Sequence, residues 1–421
     1  MCESRARTPG GALDGDDALN APTASGWRRL DATRAADLEV ATRLSRRATA
    51  EVDSGARGLD LDWRRGPDGA LGSLRVYALG DAGGPCGLAV FSVARKPLRF
   101  SIGEVGVYRA SLTRLWHVGE PYLSAELDGE RARAACQDLL VACLRDLGTS
   151  ECLFLEGLPV DGPMRAALAA GAGGGSRALC LELGQPFAHQ LIRMPPSFAE
   201  YLQQLGSRSR QSVLYSQRRL RKDMEGQVRC ECFETCESID RFVRDAQAVS
   251  RKTYQWNLLG LGLRDTPALR AGLTATAKAG WLRSFILYCR DTPVAFMLGY
   301  QHGSCYYYDD VGYDPDYSKS SVGSVLQIEV LEYLYGRSDR PAVFDFSTGY
   351  GEHKGRFGNA ERQEQNLLVF PATARNRLLI RAYRACEAVS HAGVAVLNRL
   401  GLKARLKQLI RRASARGAAE P

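Results

Sequence analysis

No stretch of eighteen or more apolar residues occurs in the 421-residue chain, so the sequence offers no helix long and apolar enough to cross a bilayer. The opening "MCESRARTPGGALDGDDALN" has acids where a secretory signal needs an apolar core. Both absences lead to the expectation of a cytoplasmic protein. CxxC spacing is missing too: the densest cysteine group, Cys230, Cys232 and Cys236, has no histidine or fourth cysteine near it, which argues against a metal site. The twelve cysteines are therefore read as reduced, and that group as small buried side chains. The main body also lacks a charge excess. From Pro371 onward there are eleven basic residues against two acids, which accounts for the whole net charge of +9. A near-neutral body gives no ground for expecting it to grip nucleic acid.

What is present is an apolar fraction of 45% and a charged fraction of 24%, as in globular proteins, over a length that suits two domains with tails. Residues 1–25 are rich in Gly, Ala, Pro and Asp without periodicity and are expected to be disordered. Organised patterning then occurs twice. "LRVYALGDAGGPCGLAVFSVA" reads as strand, turn, strand; so does "LRSFILYCRDTPVAFMLGY", with Asp291 and Pro293 in the turn. Each is followed by a loop and helix, and then by a short buried strand, "ECLFLEG" or "AVFDFSTG". The duplication predicts two lobes of one architecture, over residues 26–195 and 196–371. The remaining residues 372–421 form a basic helical tail, in which "LNRLGLKARLKQLIRRA" is amphipathic and suits either an anionic membrane or packing on the body.

The copies differ before the helix. Lobe one has Glu126, Asp128 and Glu130 there, whereas lobe two has Lys319, Ser320, Ser321, Gly323 and Ser324. Exposed N–H groups and the helix dipole favour anions where small residues let them approach, so lobe two is the candidate for a phosphorylated cofactor. Ordinary helix capping explains the same residues, and both readings stay open.

The run "YYYDDVGYDPDYSKSSVGSVLQIEVLEYL", followed by "FDFSTGYGEHKGRFG", resembles the carboxyl-terminal half of GNAT-fold acetyltransferases of the CelD, or BioF-like, type. "MPPSFAEYLQQLGSRSRQSVLYSQRRLRKD" is similar to the family's arginine-rich helix after the lobe junction. More distantly the chain is similar to FemAB-like peptidyl transferases, which share a duplicated architecture and use aminoacyl-tRNA. The resemblance implies a mixed α/β sheet in two tandem lobes, the second complete and the first degenerate. In lobe two, "CYYYDDVGY" and "AVFDFS" would splay to admit acetyl-CoA or another acyl-CoA, with Lys319, Ser321, Gly323 and Ser324 at its phosphates. The sequence departs from the family's Q/R-x-x-G-x-G/A pattern at Val322.

A thioester donor needs alignment, an oxyanion site and one proton acceptor. Asp310, Glu352 and His353 are the candidate bases, with strand alternation sending Asp309 and Asp310 to opposite faces. Lys354 suits a phosphate, a carboxylate or a developing oxyanion, or is simply solvated. Asp345 is read equally well as a structural acid accepting loop amides. Arg210, Trp256, Tyr313 and Tyr350 are candidate acceptor contacts. The expected function is transfer of an acyl group, acetyl in the first instance, to an amine or hydroxyl of a small molecule or saccharide, in polysaccharide or envelope metabolism. A FemAB-like aminoacyl-tRNA-dependent transferase and a non-catalytic binding protein are the alternatives.

Overall fold

The computed structural model describes residues 26–31, 33–52, 56–61, 74–81, 84–103, 105–171, 178–253, 256, 262–347 and 351–399. The chain opens with β1 (Gly26–Leu30), α1 (Ala35–Glu51) and the short α2 (Ala56–Leu59). Lobe one continues through β2 (Leu74–Asp81), β3 (Gly84–Ile102), β4 (Val105–Val118), β5 (Tyr122–Leu123), α3 (Gly129–Asp146), β6 (Glu151–Pro159), α4 (Pro163–Gly171) and β7 (Ala178–Arg193). Lobe two has α5 (Phe198–Gln204), α6 (Ser207–Asp223), β8 (Val228–Phe233), α7 (Ile239–Lys252) and α8 (Pro267–Lys278). It goes on with β9 (Ser284–Cys289), β10 (Thr292–His302), β11 (Cys305–Tyr313), α9 (Val322–Tyr335), β12 (Val343–Asp345), α10 (Glu352–Phe357) and β13 (Ala360–Pro371), before α11 (Ala374–Arg399).

The two strand-turn-strand patterns of the sequence are β2–β3 and β9–β10, both antiparallel hairpins. Polar turn residues break each apolar run where the chain must reverse. Both faces of these strands are covered. Tyr77, Ala89 and Phe91 pack under α3, whereas Val76, Ala78, Leu88 and Val90 pack under α1. This is why the strands read as continuous apolar runs rather than alternating ones.

All the described strands join one mixed sheet in the order β1-β2-β3-β4-β6-β13-β7-β12-β11-β10-β9-β8, with β5 beside β3. The lobes exchange strands at its centre. β7, the last strand of lobe one, pairs with β12, and β13, the last of lobe two, lies between β6 and β7. A sequence boundary at residue 195 thus falls just after a strand that the other half of the sheet uses.

The lobes differ where a parallel pair meets. In lobe one, β4 and β6 stay paired from Thr113 to Val118, the end of β4. In lobe two, β11 and β12 pair only at Cys305–Tyr307 with Val343–Asp345, and the remaining six residues of β11 run on without β12. A bulge also leaves Asp309 without a partner on β10: Tyr308 pairs with Gly299 and Asp310 with Leu298. Bulges bend a strand and interrupt its ladder, and this one sits where β11 leaves β12. Lobe two therefore opens where lobe one is closed.

All eleven cysteines of the described residues are free. No cluster of potential metal ligands occurs among those residues, and none of their helices is long and apolar enough to cross a membrane. The first 25 residues and residues 400–421, which carry most of the amphipathic tail pattern, lie outside the described residues.

Candidate active site

A cavity of about 530 Å³ lies beside the opened edge of β11, floored by Met297, Tyr308 and Val311 and closed by the start of α9. Ser321, Gly323 and Ser324 line it; Lys319 is exposed and does not. Ser321 enters α9 with a left-handed backbone, φ 52° and ψ 39°, and makes no side-chain cap. The first N–H groups of a helix have no partner within it, so uncapped ones are available to a ligand. At Gly323 a Cβ would meet only the Tyr313 ring, at 3.4 Å. Packing leaves room for a side chain there, and glycine keeps that room open to the cavity.

His353, on α10, reaches the same cavity, where its Nε2 shares a 2.9 Å hydrogen bond with Tyr308 Oη. Burial, helped by the neighbouring Lys354 charge, lowers the His353 pKa, which favours a neutral imidazole. Burial raises that of Tyr308, so the phenol keeps its proton. Tyr313 lines the cavity as well.

The other predicted residues stand elsewhere. The Lys354 ammonium is turned inward, donating to the carbonyls of Phe346 at 2.8 Å and Ser347 at 3.3 Å. It therefore fastens the strand end in place of the expected contact with an anion. Burial lowers its pKa, with Asp345 pulling the other way. Arg210 donates to the Leu202 carbonyl, and Trp256 stacks with Arg264; neither lines the cavity. Tyr350 lies outside the described residues, as does the side chain of Glu352. Asp310 is on the sheet's other face: its partner Leu298 packs under α7 and α8, whereas Val311 pairs with Met297 of the cavity floor. Burial raises the Asp310 pKa to about 6 against a hydrogen bond from the Val311 backbone, and the Asp309 charge adds to the rise. The expected separation of Asp309 and Asp310 to opposite faces does not hold, because the bulge breaks the alternation; both act on Tyr300.

That second face carries a pocket of about 190 Å³ between the lobes, which sequence reasoning missed. Side chains alternate along a strand, so Tyr307 and Asp345 line it while Tyr308 faces the first cavity. The two spaces thus flank the point where β11 and β12 part. His189 of β7 joins Asp345 Oδ1 at 2.7 Å and Glu364 Oε2 at 2.8 Å. Burial alone would lower the His189 pKa, but the two carboxylates raise it to about 9. Burial likewise pushes Asp345 upward, but the His189 hydrogen bond and charge prevail and hold it low. Asp345 also accepts from the Ser347 backbone at 2.7 Å, the structural role weighed from the sequence. Arg57 stacks 4.2 Å above the Tyr307 ring and pairs with Asp309 at 3.5 Å. Glu120 accepts from Met164 N at 3.2 Å, yet its Oε1 is buried without a hydrogen-bond partner. Burial lifts Glu120 to about 8.

Residues 207–355 match the pattern of a family described as an acetyltransferase (GNAT) domain. The solved structure of FemX superposes with a TM-score of 0.52 at 12% identity, covering 76% of this chain and 93% of that one. Residues 207–355 thus carry a GNAT-type fold, within the second of two lobes that share one mixed sheet. A tandem GNAT protein from the clavulanic acid biosynthesis pathway is also similar, at 12% identity and a TM-score of 0.44, with 82% of this chain and 98% of that chain covered. The carboxyl-terminal domain of a putative lysylphosphatidylglycerol synthetase from Agrobacterium fabrum gives 11% identity and 0.46, covering 83% and 96%. No curated protein matches the sequence. The GNAT match covers the opened β11–β12 pair, the α9 start and His353, and stops before β13.

Proposed function

We propose that the protein is an acyl-CoA-dependent acyltransferase acting on an amine or hydroxyl. The observation that carries this reading is the parting of β11 and β12 beyond Tyr307 and Asp345, with one cavity on each face of the sheet at that point. The donor lies in the larger cavity with its phosphates at Ser321, Gly323 and Ser324 of the α9 start. Its thioester reaches the gap between the strands. The acceptor comes from the smaller pocket between the lobes.

Transfer forms a bond from acceptor nitrogen or oxygen to the thioester carbon, breaks the carbon–sulfur bond and moves one proton from nucleophile to thiolate. The proton passes through a water to Asp310, whose carboxyl is raised to about 6 and which stands on the acceptor's face of the sheet, outside the lining of the smaller pocket. The protonated Tyr308 phenol, backed by His353, gives one to the departing sulfur on the donor's face. Beyond Tyr307 the edge of β11 that β12 leaves faces this gap and offers backbone amides to the oxyanion. No covalent intermediate with the protein is required.

Calorimetric titration of the purified protein with acetyl-CoA and CoA tests the donor. Saturable binding of both is expected. An absence of binding, together with binding of an aminoacyl-tRNA, would replace this reading with a transferase of the FemX kind.

A further inference from the structure

The β3–β4 hairpin outgrows the sheet. β2 pairs with β3 only as far as Ser92, and β6 with β4 only from Thr113, while β3 and β4 remain paired out to Ile102 and Val105. Among the described residues, 93–112 therefore make a two-stranded ribbon with no further strand on either side, an arrangement with little stability of its own. One face rests on α11, where Leu98, Phe100, Ala110 and Leu112 cluster with Ile380. Ser390 of α11 holds the tip, accepting from Gly103 N at 2.9 Å and donating to the Ser101 carbonyl at 3.1 Å.

Beyond that contact the apolar surface continues into solvent. Ile102, Val105, Val107, Tyr108, Leu378 and Val389 are between 40% and 70% exposed. Val107, Tyr108 and Leu378 share one apolar groove of about 400 Å³ with Phe100, Leu379 and Ala382. Contiguous patches of this kind mark interaction surfaces, unlike scattered single residues. The same two segments carry exposed cations: Arg95, Lys96, Arg99 and Arg109 on the ribbon, and Arg375, Arg377, Arg381 and Arg384 on the helix, of which Arg375 and Arg384 also donate to the Thr149 and Cys180 carbonyls. Segments 93–112 and 374–399 together hold nine basic residues and two acids, Glu104 and Glu387.

We infer that the ribbon tip and the adjoining face of α11 dock the protein on an anionic lipid bilayer. Charge complementarity selects this occupant. A second copy would set one basic surface against another, and a nucleic acid would leave the apolar tip unburied. A bilayer takes the tip among its acyl chains and the arginines among its headgroups. The basic amphipathic sequence pattern continues past α11 to Ile410 and Arg412.

The test is co-sedimentation of the full chain with vesicles of phosphatidylcholine alone, or mixed with phosphatidylglycerol. Binding is expected only to the mixed vesicles, weakening with salt, and about tenfold or more weaker in a Val105→Ser/Val107→Ser/Tyr108→Ser variant whose circular dichroism is unchanged. An Arg99→Gln/Arg109→Gln variant, which leaves the apolar packing untouched, should lose several-fold. Wild-type protein that ignores anionic vesicles overturns the inference. So does undiminished binding by the folded tip variant, or by the arginine variant should the tip variant fail to fold. A dimer in sedimentation velocity that the tip variant dissolves, without vesicle binding, would assign the face to a second copy instead.

Discussion

Replacing Gly323 with glutamate should separate binding from folding, because the structure gives the two opposite signs. The new Cβ meets only the Tyr313 ring at ordinary contact distance, so nothing in the protein must move. Gly323 is the second residue of a fourteen-residue helix. Replacing a helical glycine by glutamate contributes about 0.5 kcal/mol, and an acid in the first turn a further 0.3–1 kcal/mol or so, both stabilising. A carboxylate roughly 5 Å from one phosphate charge, at an effective dielectric of about 20, costs about 3 kcal/mol in binding. That corresponds to at least a hundredfold weaker Kd before the lost space is counted. Calorimetric titration with CoA at moderate salt, beside a thermal melt, reads both quantities. A Gly323→Ala variant, whose methyl fits the same room without charge, should lose far less. Unchanged CoA binding in a folded Gly323→Glu protein would refute the placement of the phosphates at this helix start.

Tyr308→Phe removes the hydroxyl shared with His353 and should lower kcat by about 10²–10⁴ while sparing CoA affinity, checked by single-turnover kinetics beside calorimetry. His189 has a folded pKa raised to about 9, so its stabilising contribution is complete below its ordinary value near 6.5 and lost as pH rises through 9. Wild-type melting temperature should accordingly fall between pH 7 and 10 more steeply than that of His189→Gln, and parallel curves would exclude the effect. Lys354→Met leaves two buried carbonyls without their donor and should destabilise the fold by about 1–3 kcal/mol in urea titration.

The parts of the fold legible in the sequence were those that depend on neighbours along the chain. The hairpins β2–β3 and β9–β10 announced themselves through apolar runs broken by polar turns, and the helix start at Ser321–Ser324 through its small residues. The bulge at Asp309 was not legible, since it depends on how β10 and β11 settle their register, and it displaced an argument that relied on simple alternation. His189 was invisible for a plainer reason: Asp345 and Glu364 are 156 and 175 residues away, and "FAHQLIR" reads as any strand with a polar interruption. Lys354 shows the limit of residue type as a guide. Its charge suggested an anion, but chain geometry spends that charge on two carbonyls of the preceding strand end.

The exchanged strands β7 and β13 set a timetable for the chain as it is made. β6 waits beside β4 with one side unpaired until β13, residues 360–371, has been synthesised, because that strand lies between β6 and β7. Lobe two, for its part, cannot close without β7, which was made long before it. Neither half of the sheet can be completed early and set aside, so both stay open until residues 360–371 emerge. A ribosome stalled before that strand would hold two unfinished sheets rather than one finished lobe.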